Sequence, residues 1–569
     1  MNGTVRRSLA LIAAFAAASL LTLLPAGCAN SRTASRFPPG ANTPESARRG
    51  GHAVFVREGD QDYMDPALSY ETYSSPVIEA VFRTLLNYAS VPGSAGARLV
   101  PELADALPEL RENGTLYCFR VSKDARFGAP LHRHITAADF KYSLERLFRV
   151  GSPGLNFYRS IVGASDVLAG RTTQLAGVIA RGDSLYVRIL HPDPVFLYLM
   201  SMSFAAPLPR EIVERYSGTL SQHAVSSGPY AVAEFTPRRR VLLVRNPDYR
   251  GTPGSLDTIE VRFGVQTLNA VAMIRRGLAD GGFFEVPGPE VMRLRRDPVW
   301  RSQVDIADGL GTTYLFFNVR MKPFSDVRVR QAVAWALDRR ADVKVWSGRA
   351  AIAGEVLPPG MPGARALNCY AGPDMQRARR LMREAGYPNG FSTMFYGATE
   401  EPWPREMTVI QQELAEIGIH ATIDLREISS YFPMVNDTSR HIPFGMGGWV
   451  ADYVDPSNFF DTLLNGRRIT GIHNNNLSLF DDPSVNDAIE RAMVTPDDSA
   501  RARMWVSVDR AVMERAPIVP LVHALESRLY HPRLGGWYRH VTRILKLEDV
   551  YLKTQAPSDR TAAHVEVHS

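Results

Sequence analysis

Apolar and polar residues follow regular spacings along most of the chain after residue 51. The segment 115–121 follows the turn pair Asn113-Gly114 and predicts the second strand of a hairpin. In 185–189 apolar and polar residues alternate, which predicts another half-buried strand. Strand and helix patterns are mixed throughout without internal repeats, so the chain is predicted to have an α/β or α+β fold.

Three segments carry apolar residues at a spacing of three or four, which predicts amphipathic helices over 326–337, 375–385 and 407–417. Asp326 is suited to cap the first of these helices, and Gly386 to end the second. These helices provide the apolar faces that an α/β chain needs to cover its sheets.

The N-terminus combines basic residues at positions 6 and 7 with an apolar run over 9–24 and the ending Pro25-Ala26-Gly27-Cys28. This pattern predicts an export signal over 1–28, because the run is shorter than the roughly 20 residues of a membrane span. The ending is similar to the lipobox of bacterial lipoproteins, which makes Cys28 the predicted lipidation site. The alternative is a secreted chain that loses Cys28 with its signal. Residues 29–51 are predicted to form a flexible tether, and 554–569 a C-terminal tail.

Composition narrows the class of protein further. The chain has 569 residues, 45% of them apolar and 22% charged, with a formal charge of +6. That length is enough for two or three structural units, and basic residues are scattered among acidic ones, so we predict no nucleic-acid partner. Only Cys118 and Cys369 remain beyond the signal, and we expect free, buried thiols instead of a disulfide bridge.

A search for catalytic motifs finds no nucleophile elbow, no zinc-protease motif, no phosphate-binding loop and no Cys-x-x-Cys pair. His132 and His134 flank an arginine in a predicted surface loop, where metal binding is not expected. Asp481 and Asp482 precede a helical pattern and are predicted to cap it. We therefore predict a protein that is not an enzyme, with no catalytic residue, metal or cofactor.

Residues 445–456 are the most unusual stretch, with three glycines, two large aromatic residues and two carboxylates. Glycines let another backbone approach closely, aromatic rings form apolar walls, and a carboxylate can hold a cation. Such a stretch is typical of a binding cleft. The alternative is a strand-to-helix turn with Trp449 in the core and Asp455 capping a helix, and the residue types leave both open.

Ordered blocks along the chain carry a resemblance to a known family. They lie at 64–66, 81–86, 100–104, 119–127, 227–230, 245–249, 317–319, 323–332, 336–339, 385–391, 449–456 and 518–521. Together they resemble the family 5 solute-binding proteins of bacterial peptide and nickel ABC importers, in particular the oligopeptide-binding branch. The resemblance covers residues 52–553.

The resemblance implies a two-lobed periplasmic-binding-protein fold of type II, with mixed sheets flanked by helices and a ligand held between the lobes. The implied ranges are 52–86, 206–308 and 520–553 for lobe I, 87–205 for an extra subdomain of lobe I, and 309–519 for lobe II. The chain is expected to cross between lobes at 308–311 and 516–520, and the lobes to close about these crossings.

The resemblance also implies a ligand site. An aspartate that receives the α-ammonium of a peptide corresponds to Asp452. Gly447 and Gly448 would let the peptide backbone approach, and Trp449, with Val450 and Tyr453 beside it, would line a side-chain pocket. Met446 stands where the oligopeptide-binding relative has an arginine that holds the ligand's carboxylate, which leaves the preferred peptide length open.

The implied function is that of a monomeric, extracytoplasmic binding component on the periplasmic or cell-surface side of the cytoplasmic membrane, attached through a lipid anchor. It would capture short peptides and deliver them to an ABC permease and ATPase complex. A metal chelate, a saccharide or an opine is the alternative ligand, because a fold does not choose among ligands. An exported hydrolase is the distant alternative.

Overall fold

The computed structural model describes residues 50–193, 195–495, 497–542 and 544–553. Most of the predicted signal and tether, including Cys28, and the predicted tail lie outside these ranges. Within them, no helix is both long and apolar enough to cross a bilayer.

The described strands are β1 (His52–Val56), β2 (Leu86–Tyr88), β3 (Leu99–Pro101), β4 (Glu109–Arg111), β5 (Leu116–Arg120), β6 (Val178–Arg181), β7 (Ser184–Arg188), β8 (Tyr230–Thr236), β9 (Arg240–Arg245), β10 (Thr258–Arg262), β11 (Gly281–Gly282), β12 (Val304–Phe317), β13 (Ala350–Ile352), β14 (Phe391–Ala398), β15 (Ile419–Arg426), β16 (Phe444–Val450), β17 (Ile518–Leu529), β18 (Leu534–Gly535) and β19 (Tyr551–Leu552).

The described α-helices are α1 (Ser75–Val81), α2 (Ala137–Arg149), α3 (Ala164–Leu168), α4 (Phe196–Leu199), α5 (Arg210–Arg215), α6 (Thr267–Arg275), α7 (Gly288–Arg296), α8 (Val327–Ala336), α9 (Arg339–Val345), α10 (Met375–Glu384), α11 (Trp403–Ala415), α12 (Ile428–Val435), α13 (Ser457–Leu464), α14 (Pro483–Met493) and α15 (Asp498–Arg515).

A five-stranded sheet in the order β11-β1-β10-β9-β8 and a four-stranded antiparallel sheet in the order β4-β5-β7-β6 share one hydrophobic core. Phe55 of the first sheet and Tyr117 of the second both belong to that core. The predicted hairpin strand is confirmed as β5. Asn113 and Gly114 both have positive φ (55° and 85°), a conformation that asparagine and glycine adopt most readily.

A six-stranded sheet in the order β13-β17-β12-β16-β14-β15 forms a second core with α8, α10 and α11. The three predicted helices are confirmed. The Asp326 carboxylate accepts from the Arg328 N–H at 2.8 Å and so caps α8, while Gly386 follows α10 with a φ of 89°. Apolar faces at helical spacing were therefore a sound guide in this part of the chain.

The long strands β12 and β17 pair with each other and link the second core to a third, smaller cluster that contains Val54 and Val56 of β1. Val304 packs with β1 residues, whereas 314–317 pack in the core of the six-stranded sheet, so β12 passes from one cluster to the other between these positions. The register with β17 shifts there. On β17, Ile518 and Val519 are buried in the second core, and Leu529 belongs to the same cluster as Val304. The crossings between lobes expected at 308–311 and 516–520 stay predictions.

Two smaller predictions need correction. Cys118 and Cys369 are free, as predicted, but both are half-buried instead of buried. Asp482 caps α14 by accepting from the Ser484 N–H at 2.9 Å, whereas Asp481 accepts from the Asn486 side chain. A carboxylate one residue further from the helix start cannot reach the same N–H groups.

The two histidines of the predicted surface loop have separate partners. His132 Nδ1 lies 2.7 Å from Asp248, and His134 Nε2 lies 3.1 Å from Asp183. Among the described residues, no group of three or more histidine, cysteine, aspartate or glutamate side chains is placed to hold a metal ion.

Candidate functional site

The unusual stretch 445–456 forms the end of β16, a turn and the start of α13. Gly447, Gly448, Trp449 and Val450 lie in the strand, and Asp452 and Tyr453 lie in the turn. The Asp455 carboxylate accepts from the Ser457 N–H at 2.9 Å, as the strand-to-helix interpretation expected. The turn is therefore present, and it carries Asp452 beyond the end of the strand.

The main chain of β16 has an open edge. The Ala451 N–H donates to the Leu310 carbonyl, which fixes the alternation of β16 against β12. Because backbone groups of successive residues point to opposite edges, those of Gly448 and Val450 face away from β12. On that side β14 pairs with β16 at Gly445 alone. Within the described residues, no strand pairs with Gly448 or Val450 at this edge.

Glycine occupies positions 447 and 448 for different physical reasons. A Cβ on Gly447 would lie 2.3 Å from the Tyr314 ring, so this glycine makes room for an aromatic side chain of β12. A Cβ on Gly448 would meet Trp403 at 3.5 Å, an ordinary contact. Packing against Tyr314 therefore requires a glycine at position 447, whose main-chain groups face β12. The main-chain groups of Gly448 face the open edge.

The Met446 side chain is not available to a ligand at the open edge. The side chain is fully buried in the second core. Its carbonyl oxygen, one step along the open edge from Gly448, accepts a hydrogen bond from the Tyr431 hydroxyl at 2.5 Å.

Asp452 is a half-buried carboxylate held by neutral donors only. The Tyr70 hydroxyl donates to Oδ1 at 2.7 Å, and the Asn458 amide donates to Oδ2 at 3.3 Å. No arginine, lysine or histidine in the described ranges forms an ion pair with it. Burial raises the pKa of Asp452 to about 6, and the hydrogen bonds from Tyr70 and Asn458 partly oppose that rise. At neutral pH the site therefore presents a negative charge without a cation.

Asn458 organises the turn and was not predicted. Its buried Oδ1 accepts from the Trp449 indole N–H at 2.8 Å and from the Asp452 backbone N–H at 3.0 Å. One amide therefore fixes both predicted site residues, and a buried amide without these partners would be costly. An asparagine in the first turn of a helix gives no sequence signal of this role.

Tyr70 was also not predicted. It lies 382 positions before Asp452, so no local pattern links the two residues. It follows β1 in a loop where the Tyr70 and Glu71 N–H groups donate to Asp62. The Tyr70 ring is 43% exposed and lies 5.6 Å from the Phe204 ring. The part of the chain around the five-stranded sheet thus supplies a direct partner for a carboxylate carried by the six-stranded sheet.

Further contacts join the same two parts. The Val454 N–H lies 3.4 Å from the Tyr88 hydroxyl, and the buried Tyr453 ring packs edge-on against Phe157 at 6.4 Å. Trp449 is half-buried and Val450 is 52% exposed. The predicted site residues are therefore neighbours at a junction between two parts of the fold.

The chain is similar to a known protein family and to individual proteins. The family model described as Bacterial extracellular solute-binding proteins, family 5 Middle matches residues 98–471. Heme-binding protein A of Haemophilus influenzae is 24% identical, covering 91% of this chain and 94% of the relative. The periplasmic oligopeptide-binding protein OppA of Salmonella typhimurium is 25% identical, covering 94% of this chain and 97% of the relative.

Among solved structures, clavulanic acid biosynthesis oligopeptide binding protein 2 has a TM-score of 0.84 and 26% identity, covering 90% of this chain and 98% of the other. This likeness confirms the predicted two-lobed periplasmic-binding-protein fold. The boundaries of the two lobes and the extra subdomain stay a prediction. The family model spans well over half of the chain, and the chain belongs to the bacterial extracellular solute-binding proteins, family 5.

Proposed function

We propose that this chain is the extracytoplasmic binding component of an ABC importer and captures short peptides with a free N-terminus. The open edge of β16, which ends at the unpaired carboxylate of Asp452, carries this proposal. A peptide offers the matching features, namely main-chain hydrogen-bonding groups and a terminal ammonium.

In this mechanism the peptide adds a strand to the edge of β16. Its main chain pairs with Gly448 and Val450, and its ammonium reaches Asp452, where a charge-assisted hydrogen bond replaces the missing cation. Every peptide shares these groups, so binding tolerates many side chains. Trp449 and the exposed Val450 are placed to contact those side chains from one face of the strand.

Closure of the lobes completes the site. Tyr70 comes from the loop after β1, and Asp452 comes from the turn after β16. A ligand that contacts both parts favours the arrangement in which they meet. The closed form would then dock on the permease of the importer, whose ATPase drives uptake, as the family's transport role implies.

Other ligands are possible on this scaffold, and one relative is named for haem binding. A metal chelate, a saccharide or an opine lacks the continuous main chain that would pair with Gly448 and Val450. The open edge therefore favours a peptide. An exported hydrolase is disfavoured, because the relatives are named as binding proteins.

Hydrogen exchange measured by mass spectrometry tests the proposal. Saturating trialanine should slow exchange of the Gly448 and Val450 amides, because both become paired. N-acetyl-trialanine, which lacks the ammonium, is the matched control and should protect them far less at the same concentration. Equal exchange with and without trialanine, at any concentration up to millimolar, would rule out strand addition at this edge.

We also propose that the mature chain is held at the membrane by lipid on Cys28, which lies outside the described residues. Stable anchoring of this kind takes more than one acyl chain. Expression of the full chain and of Cys28→Ala, followed by detergent phase partition, checks this. The parent should enter the detergent phase and the variant the aqueous phase, and identical partition would exclude the anchor.

A further inference from the structure

We propose that Tyr431 closes the open edge of β16 and limits the ligand to three residues. This inference rests on the proposed function and adds the preferred ligand length, which the sequence left open.

The open edge begins at a fork between β14 and β16. The two strands are parallel and form a single bridge, Tyr396 with Gly445. Because the Gly445 main chain faces β12, the parallel pattern directs the Met446 N–H to the Tyr396 carbonyl. Beyond that point Gly397 and Ala398 continue as partners of β15 alone. The strands have separated, and within the described residues no strand pairs with Gly448 at this edge.

Tyr431 lies at the fork, where β14 and β16 separate. Its hydroxyl donates to the Met446 carbonyl at 2.5 Å and lies 3.3 Å from the Tyr396 carbonyl, so it bridges the two strands where they part. The side chain is fully buried, and its ring packs edge-on against Trp403 at 6.0 Å. Trp403 in turn lies beside Gly448. The next carbonyl along the edge is thus already occupied by this chain's own donor.

The number of ligand residues follows from strand geometry. An ammonium at Asp452 places the peptide N-terminus beside the C-terminal end of β16, so the peptide runs antiparallel to it. The first ligand residue then lies opposite Val450, the second opposite Trp449 and the third opposite Gly448. A fourth and a fifth residue would lie opposite Gly447 and Met446, at the fork that Tyr431 fills. Three residues therefore occupy all of the open edge.

Calorimetry on the full-length protein with di-, tri-, tetra- and pentaalanine tests the limit directly. We expect trialanine to bind tightest, with tetra- and pentaalanine at least tenfold weaker. Pentaalanine binding within twofold of trialanine would overturn the limit while leaving the proposed function intact. If none of the four peptides binds, the proposed function fails and this inference fails with it.

Two variants test whether Tyr431 sets the ligand length. Tyr431→Ala should raise the affinity for tetraalanine relative to trialanine at least fivefold, because the fork is opened. The ratio of the two affinities serves as the internal control for any general weakening. Trp403 is only half-buried, so Trp403→Ala gives a second variant if Tyr431→Ala does not fold. It should shift the ratio in the same direction, and an unchanged ratio in a folded variant contradicts the role.

Discussion

Asp65 and Asp452 are both withdrawn from bulk water, and they differ in what neutralises them. Asp65 is 2% exposed and receives two hydrogen bonds from the Arg146 guanidinium, at 2.9 and 2.5 Å. Its Oδ1 also accepts from the Ala67 N–H. Asp452 is half-buried and receives hydrogen bonds only from a tyrosine hydroxyl and an asparagine amide.

The difference separates a carboxylate that is neutralised within the chain from the carboxylate that we propose binds the ligand. Asp65 and Arg146 form a buried pair that links the loop after β1 to α2, and a third charge has no place there. The fully buried Asp280 is similar, since Arg533 and the Val54 N–H satisfy it. Asp452 has a negative charge, hydrogen-bond donors that orient it and, among the residues that the structure describes, no cation in an ion pair with it. A carboxylate in that condition gains most from a cationic ligand.

The largest effect on stability should come from Asp65→Asn. It leaves the Arg146 charge buried without a partner, which costs about 3 to 5 kcal/mol of unfolding free energy. Urea denaturation followed by circular dichroism measures this loss. If Asp65→Asn costs less than about 1 kcal/mol, the range of an exposed ion pair, the pair is not structural.

Asp452→Asn should have the reverse profile. The affinity for trialanine should fall about a hundred- to a thousandfold, or roughly 3 to 4 kcal/mol, because the ammonium loses its charged partner. The unfolding free energy should stay within about 1 kcal/mol of the parent, as for most changes that break no internal pair.

Asp455→Asn is the matched control for Asp452→Asn. Asp455 lies three residues further along the same turn, but it faces Ser457 and Arg501 instead of the open edge. Trialanine should bind to Asp455→Asn much more tightly than to Asp452→Asn. A similar loss of affinity in both variants would mean that the turn as a whole, and not the Asp452 charge, matters for binding.

Part of the fold and of the site could be predicted from the sequence. The turn pair Asn113-Gly114 predicted β5, and periodicity predicted α8, α10 and α11, because each of these helices carries its apolar residues on one face. Local rules of this kind need no knowledge of the rest of the chain. The family blocks predicted the two-lobed fold, and the resemblance pointed to Asp452.

The partners of Asp452 could not be predicted, because they come from distant segments. Tyr70 meets Asp452 only after the two parts of the fold come together, and Asn458 acts through the geometry of a turn. The role of Gly447 was missed for the same reason, since a cross-strand tyrosine sets it.

The pH dependence of binding sharpens the comparison further. In the free protein the pKa of Asp452 is raised to about 6, and an ammonium binds only the ionised form. The dissociation constant for trialanine should therefore rise as pH falls below about 6, approaching tenfold per unit, and should be lowest near pH 7, because the α-amino group of the peptide, with a pKa of about 8, loses its proton above that. Isothermal titration calorimetry between pH 4.5 and pH 8 measures this.

The pH dependence of stability has the opposite sign to that of binding. Between the unfolded pKa of about 4 and the native value of about 6, the native state holds the proton that the unfolded chain has lost. The Asp452 contribution to the stability of the free protein therefore decreases as pH rises through that window. Asp452→Asn should abolish both trends at this site, and an unchanged pH profile of binding in Asp452→Asn would assign the titration to another group.

The smallest effect should come from Tyr70→Phe, which removes one neutral donor and keeps the ring against Phe204. The affinity for trialanine should fall about three- to tenfold, since a single hydrogen bond contributes about 0.5 to 1.5 kcal/mol. The Tyr70 hydroxyl lowers the pKa of Asp452, so its loss should also move the pH at which binding weakens to a higher value. A merely structural tyrosine would change affinity without that shift.

Small-angle scattering of unliganded Tyr70→Phe should show a larger radius of gyration than the parent, because the Tyr70–Asp452 hydrogen bond joins the two parts of the fold. An unchanged radius together with an unchanged pH profile of binding would remove Tyr70 from the site.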